Sequence, residues 1–559
     1  MLVDDILIEI GEMGTYQIIM YILLGLAGLP TGWQNMGITF VGANIDHWCS
    51  IPRLNNLTSK QQKYIAIPDD TDNSYSQCDM FDIDYDHLTD EDINSWNRSL
   101  FPKTKTIRCQ HGWVYDKSIF TSSLVSQFGL VCDKSSNLFM IQTIYMCGFL
   151  TGCVVFGQLA DRIGRHKTLL IALMVEILFA TGATFVPYYS AYVSLRFVVG
   201  AAAAGSFTTV FIMCVEMAGP RFRLSLGVFI QAWFAVGLMT MPAMSYFVRN
   251  HIHLQLICAL VPIIPWLSLF LVDESPRWLI SNGFDEKAMI LLAKIAKLNG
   301  RKLPNNMNLA DNRKHSIYCT TCVPRLIEKL FPGLGVDLLP GSLFLNSFLQ
   351  AAIELPSYVI IILAMQYLGR KLPGFITLVA TGICCLLLTP FLDNTDLQGG
   401  ATAFLLIGKF FVSATFALIY VYSAELFPTV VREVAVGSSS TCARIGSLLQ
   451  PQIRLLQSKL WNPAAFFVYG IFAIVGGIMC IFLPETLGQI LPETMEDGEI
   501  FARSAKINFK TTISRPLETK DSNDVKESEQ FLPESRDNKP NQTTINEEAD
   551  ATDILYNRN

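Results

Sequence analysis

The chain has 559 residues, 51% of them hydrophobic and only 16% charged, with a mean hydropathy of +0.36. Ordinary water-soluble globules seldom carry that balance, so a polytopic membrane protein is the first expectation. The net charge of -6 and the lack of a basic stripe interleaved with aromatics argue against a nucleic-acid partner.

The N-terminal stretch MLVDDILIEIGEMGTYQ is acidic where a cleavable signal is basic, so the first hydrophobic run is expected to serve as both signal and anchor. Crossing about 30 Å of hydrocarbon takes roughly 20 mostly apolar residues. Eleven runs meet that need: 17–41, 138–160, 168–187, 191–215, 226–248, 254–272, 343–365, 373–392, 402–424, 434–456 and 462–483. An all-α fold follows, laid out as an N-terminal six-helix half (1–272), a linker (273–342), a C-terminal half of five spans (343–492) and a disordered polar tail (493–559). The large polar loop 42–137 holds Cys49, Cys78, Cys109 and Cys132, four disulfide candidates, and glycosylation sequons at Asn56 and Asn97. Those features suit an oxidising, extracytoplasmic side.

Lys and Arg then sort the loops by the positive-inside rule. DRIGRHK (161–167), RFR (221–223), the segment 273–330, GRK (369–371) and TVVRE (429–433) read as cytoplasmic; VPYYSAY and DNTDLQGG, without a basic residue, read as external. The N-terminus and the tail are expected inside. One parity problem remains. The linker and GRK both read as cytoplasmic, yet a single span, 343–365, separates them. PRLIEKLFPGLGVDLLPGSLFLN (324–346) cannot supply the missing crossing, because Glu328, Lys329, Asp337 and its Gly and Pro residues leave no apolar run near the needed length. Either the C-terminal half is inverted or one helix of an original twelve is absent.

GQLADRIGRHK (157–167) has a spacing that a bland basic loop would not need: Gly157 to let helices approach, Asp161 to cap and pair, Arg162, Arg165 and Lys167 to anchor the loop in the polar face, with Gly164 counted in the same latch set. A second copy, MQYLGRK (365–371), keeps Gly369, Arg370 and Lys371 but has Gln366 in the acidic place. DESPRWLI (273–280), AELFPTVVRE (424–433) and LPETLGQILPET (483–494) complete the set. Together these motifs resemble the organic cation, anion and zwitterion (carnitine) transporter family of the major facilitator superfamily, over nearly the whole chain. The resemblance implies two helical halves that rock about a midplane site to expose it alternately to either side. It places the absent helix seventh of twelve, in the cavity wall.

Ionisable residues inside spans are costly and are functional candidates by default. Arg444 sits where, the resemblance implies, anion and carnitine carriers have Arg and cation carriers an acid; its planar fork suits a carboxylate, and Glu425 is its alternative structural partner. Lys409 reads equally as an ion-pair member or a substrate contact, and Glu354, before Pro356, as a ligand for a cationic group or a bonding partner of opened backbone. Trp233, Tyr420 and Phe416 offer cation-π surface. Glu176 lies in mid-span without an implied role and is expected to bond a neighbouring helix. Arg196 opens a small-residue helix, RFVVGAAAAG, in a coupling or packing role. Glu216, Arg221 and Arg223 are expected to join Asp161 and Arg165 in a latch that breaks during rocking, with Gly369, Arg370, Glu425 and Arg432 on the other half. Cys319 and Cys322 near His315 are too few for a zinc site, so no metal or cofactor is expected.

No phosphate loop, nucleophile elbow or metal cluster points to an enzyme. The expected function is a plasma-membrane carrier of small organic ions, carnitine-like zwitterions, organic cations or anions, with sodium or proton as a candidate coupling ion. The competing reading is a transport-inactive shortened isoform or an incomplete gene model of such a carrier.

Overall fold

A computed structural model describes residues 3–69, 75–85, 105–302, 342–392, 398–426, 446, 453 and 464–486. A short helix α1 (Val3–Ile10) precedes α2 (Thr15–Val41), whose 27 residues reach about 40 Å. The loop region follows, with β1 (His47–Cys49), α3 (Ser59–Ala66), β2 (Asp79–Phe81), β3 (Thr106–Arg108), β4 (Trp113–Tyr115) and α4 (Leu124–Phe128). Long helices then run in sequence: α5 (Ser136–Ile163), α6 (Arg165–Phe185), α7 (Tyr189–Met217) and α8 (Pro220–Phe247), then α9 (His251–Leu260) and α10 (Ile263–Ser268) as one further span. The linker carries α11 (Pro276–Ser281) and α12 (Asp285–Leu298); the C-terminal half carries α13 (Leu343–Ala352), α14 (Glu354–Leu368), α15 (Lys371–Leu392), α16 (Gln398–Leu426) and α17 (Ala464–Cys480). Among the described residues nine segments are long and apolar enough to span a membrane, and α17 is a shorter apolar helix of 17 residues. They coincide with ten of the eleven expected runs; the remaining one, 434–456, lies outside the described residues apart from Ile453 and Gly446.

Small residues set the tightest packing. A Cβ added at Gly148 or Gly152 of α5 would collide with the backbone oxygens of Phe197 and Ala201 on α7, and one at Gly200 with that of Tyr145, so these two helices touch backbone to backbone. Gly157, expected to allow such an approach, has nothing near its missing Cβ. At this level the contact between α5 and α7 is made by the preceding residue, Phe156, against Gly205.

Disulfides Cys49–Cys109 and Cys78–Cys132 hold the loop region, closing sequence separations of 60 and 54 residues. Between them lies a small core of Trp48, Ile51, Leu54, Ile65, Ile67, Met80 and Tyr85, with β1 antiparallel to β4 and β2 to β3. Partial burial pushes the Asp46 carboxyl up, but the Lys63 ammonium at 2.6 Å and the Gln77 amide outweigh it and hold Asp46 below the usual carboxylate range. The cluster His47, Cys78 and Cys132 has metal-ligand residue types, but both sulfurs are spent in the disulfide. Asn56 is exposed; Asn97 lies outside the described residues.

The run of α13 and α14 decides the parity problem as far as the described residues reach. Phe344 at its start stacks on Phe40 at 5.9 Å, beside Phe120 at 5.6 Å and Tyr246 at 5.6 Å, all at the end of the bundle that carries the disulfide loop. Further along, Tyr358, Ile361 and Met365 pack in one cluster with Ala235 and Val228 of α8, so α14 runs antiparallel to α8 and ends at the far end. The linker is tied to that far end: Asn299 accepts from the Tyr16 backbone N–H at 3.1 Å and donates to the Ile10 carbonyl. Lys302 and Ser342 therefore stand at opposite ends of the bundle, and GRK shares an end with DRIGRHK. This is the arrangement in which GRK obeys its charge, not the inverted one. The stretch 324–341 itself lies outside the described residues, as do Cys319, Cys322, His315 and the tail.

Candidate functional site

Two clasps close the far end of the bundle. In the first, Gly164 turns the chain between α5 and α6 with φ of 105°, a conformation glycine adopts without strain, and any Cβ there would strike the Glu274 carboxylate. Glu274 instead accepts the backbone N–H groups of Arg165 (2.9 Å) and His166 (3.2 Å), the open first turn of α6. Arg165, almost fully buried, reaches Asp161 at 3.0 Å, Glu216 at 3.4 Å and the Ala160 carbonyl at 3.1 Å. Asp161, Arg165 and Glu216 thus meet in one cluster. Arg221 is not part of it: its side chain is exposed and lies over the Phe222 ring, because the start of α8 turns that face outward. Arg162 is exposed as well.

The second clasp repeats the first. Gly369 turns with φ of 83°, Glu485 accepts the N–H groups of Arg370 (2.8 Å) and Lys371 (3.0 Å), and Arg370 makes two 2.8 Å bonds to Glu425 and one of 3.1 Å to the Met365 carbonyl. Thr486 donates to the same Glu425 at 2.7 Å. Glu425 is therefore engaged by Arg370. Arg444 and Arg432 lie outside the described residues.

Between the two ends, Glu354 and Lys409 meet at 2.6 Å, with side chains 5% and 10% exposed. Tyr358 donates its hydroxyl to the second Glu354 oxygen at 3.1 Å. Around the pair, sequence reasoning missed a set of polar side chains. Ser347 and Gln350 share the buried face of α13–α14 with Glu354, and Ser413 shares that of α16 with Lys409, by helical spacing. Among the described residues, the hydroxyls of Ser347 and Ser413 and the Gln350 amide nitrogen are buried without a hydrogen-bond partner. Groups left so are unusual in a packed protein and call for a bound water or another polar partner. The signal was present as Ser and Gln at i, i+3 and i+4 spacing beside each charge, but such residues also face solvent in most helices.

The aromatic candidates divide between two walls. Trp233 faces Tyr21 at 6.4 Å across Gly25, where no side chain would fit, while Tyr420 packs on Phe416 at 4.9 Å and on Phe211 of α7 at 5.5 Å, bridging the two halves. Arg196 donates to the Gln34 side chain (2.7 Å) and backbone (3.1 Å) and lies over the Tyr145 ring at 4.8 Å. It lines a small cavity with Gln34, Trp33, Ala180, Tyr192 and Cys258.

The sugar (and other) transporter family model matches residues 80–319 and 327–497. The organic cation transporter protein of Drosophila melanogaster is 30% identical over 531 residues, covering 89% of this chain and 95% of that one. Organic cation/carnitine transporter 2 of Mus musculus is 29% identical, covering 88% of this chain and 93% of its own length. The partially occluded inward-open xylose transporter XylE from E. coli superposes with a TM-score of 0.58 at 16% identity, over 85% of this chain and all of XylE.

Proposed function

This chain belongs to the organic cation transporter branch of the sugar (and other) transporter family of major facilitators, and from that membership we propose that it carries small organic zwitterions of the carnitine type across the plasma membrane. Secondary transport by a multi-pass membrane protein follows from the family. The choice of zwitterion rests on one observation, the buried Glu354–Lys409 pair amid unpartnered polar groups.

Each charge of that pair presently satisfies the other. A solute bearing an ammonium and a carboxylate a few bonds apart can part them and satisfy both, with Tyr358, Ser347, Gln350 and Ser413 completing its hydrogen bonds. A simple cation or anion satisfies one charge and strands the other in a dry site, which is costly. Trp233, Phe416 and Tyr420 supply the apolar and cation-π surface that a substituted ammonium prefers, and Arg444 is assigned to the solute carboxylate.

Transport then requires the two halves, 1–272 and 343–492, to rock about this site. The clasps at Arg165 and Arg370 act as the latch, with the N-terminus on the cytoplasmic side and the disulfide loop, glycosylated at Asn56 and Asn97, outside.

Radiotracer uptake into cells expressing the chain tests the reading, comparing carnitine, tetraethylammonium and an organic anion. Saturable carnitine uptake exceeding both others is expected. Uptake of tetraethylammonium alone overturns the zwitterion assignment, and no uptake of any solute by protein abundant at the surface restores the transport-inactive reading.

A further inference from the structure

One buried acid is left unused by that mechanism. Glu176, in the middle of α6, is 1% exposed, and among the described residues it has no cation within ion-pair distance. One carboxylate oxygen lies 3.4 Å from the Ser206 hydroxyl of α7, whose proton has a shorter 3.0 Å acceptor in the Ala203 carbonyl; the other has no partner among the described residues. Ser206 is itself fully buried and lies 3.4 Å from the equally buried Thr31 hydroxyl of α2, so a polar thread runs from α6 through α7 to α2.

The neighbouring elements offer little to hold a charge there. From α7 the cation facing Glu176 is Arg196, whose two terminal nitrogens go to the side-chain and backbone oxygens of Gln34 on α2, a neutral residue that cannot titrate, while its Nε has no hydrogen-bond partner among the described residues. The α7 acid Glu216 is at the far end, bound to Arg165. From α9 come the Cys258 thiol and the His251 ring, the latter tied to Ser122 and Gln127; from α5 comes Tyr145, under Arg196. An ionised carboxylate with one long hydrogen bond and no adjacent cation is a high-energy species in such a place, whereas the protonated acid is not. Ala180, one turn along the same face of α6, lines the cavity at Arg196.

Resting on the carrier reading above, we propose that Glu176 is the proton-binding site of this carrier. Its carboxyl takes a proton from water through the Arg196 cavity in one orientation and returns it to water in the other, coupling proton movement to solute movement. Ser206 and Thr31 pass the protonation state to α2 by reversing the direction of their hydrogen bonds.

The test uses the full-length purified protein and has a readout independent of uptake. Infrared difference spectra across pH should show a protonated carboxyl band that disappears in Glu176→Gln and moves to higher frequency in Ser206→Ala, which removes its hydrogen bond. In vesicles, wild-type uptake should change by up to about tenfold per pH unit, with solute-driven proton flux, while Glu176→Gln takes up solute with a flat profile and no flux. An identical carboxyl band in wild type and Glu176→Gln, with no shift in Ser206→Ala, overturns the proposal. So does uptake that is independent of pH but dependent on sodium through Glu176, which leaves the carrier reading intact. No uptake by wild type refutes the carrier reading and with it the coupling, and the spectrum still decides separately whether Glu176 holds a proton.

Discussion

Removing one member of the Glu354–Lys409 pair should harm the protein more than removing both. At 2.6 Å, two unit charges attract by about 6 kcal/mol at an effective dielectric constant near 20. Desolvation of each ion consumes several kcal/mol of that gain, so the net worth of the pair is small. The loss in a single variant is different. Lys409→Met leaves the Glu354 carboxylate buried with the Tyr358 hydroxyl as its remaining donor among the described residues, an uncompensated charge that costs about 3–5 kcal/mol, or roughly two to three and a half orders of magnitude in the folding equilibrium. Glu354→Gln strands Lys409 in the same way. The double variant Glu354→Gln/Lys409→Met buries no charge and should recover most of the loss. The measurement is a double-mutant cycle on the folded fraction, read as monodisperse protein in detergent and as surface abundance, with carnitine uptake alongside. The expected outcome is two poorly folding single variants and a well-folded double variant that no longer takes up carnitine. Additive losses in the cycle would refute the reasoning on the buried pair, and a well-folded double variant with undiminished carnitine uptake would refute its role in recognition.

Other consequences follow from the clasps and the loop. Asp161→Asn should lower the maximal rate several-fold at little change in half-saturation, because it loosens Arg165 and not the solute site; a pure affinity defect counts against the latch. Gly369→Ala should reduce surface abundance, since a Cβ there meets the Glu485 carboxylate at 2.6 Å on a left-handed backbone; unchanged abundance would mean that the clasp yields freely. Treatment with an N-glycosidase should raise gel mobility, and Asn56→Gln should abolish part of that shift. An epitope on the tail should stain only after permeabilisation, and staining of intact cells would contradict the shared end of GRK and DRIGRHK.

Long apolar runs fix span positions because hydrocarbon admits backbone only as helix, so Thr15–Val41 or Tyr189–Met217 could be read directly from the sequence. The clasps were nearly as legible, since Gly followed by Arg between two spans leaves few other uses. Pairings across distant segments were not. Nothing local announces that Glu354 meets Lys409, or that Glu425 belongs to Arg370, because a buried charge states its need for a partner without naming it. The disulfide connectivity was hidden for the same reason, four cysteines allowing three pairings. Arg221 and Gly157 failed differently: the right residue types stood at the right ends of their helices, and a rotation of the helix face carried them outside the contact.

The two clasps also show where the halves differ. Arg165 reaches Glu216 across 51 residues and its backbone reaches Glu274 across 109; Arg370 reaches Glu425 across 55 and its backbone Glu485 across 115. Near-equal spacings in the same order make the C-terminal half a second copy of the first, from the turn onward. The copies divide charge unequally. Arg165 splits its donors between Asp161, which is 43% exposed on its side chain, and a more distant Glu216. Gln366 stands in the place of Asp161, so Arg370 spends two short bonds on Glu425 alone, and Thr486 locks that carboxylate from the other side. A bidentate, doubly held carboxylate resists rearrangement more than a divided one. If the halves rock as proposed, the N-terminal clasp is the one expected to give first, and the C-terminal clasp the one expected to hold α14, α15 and α16 together longer. That rigidity matters most in the half whose first helix has no counterpart to α2 among the described residues, because α13 and α14 must then hold Glu354 in place through Lys409, Tyr358 and their contact with α8.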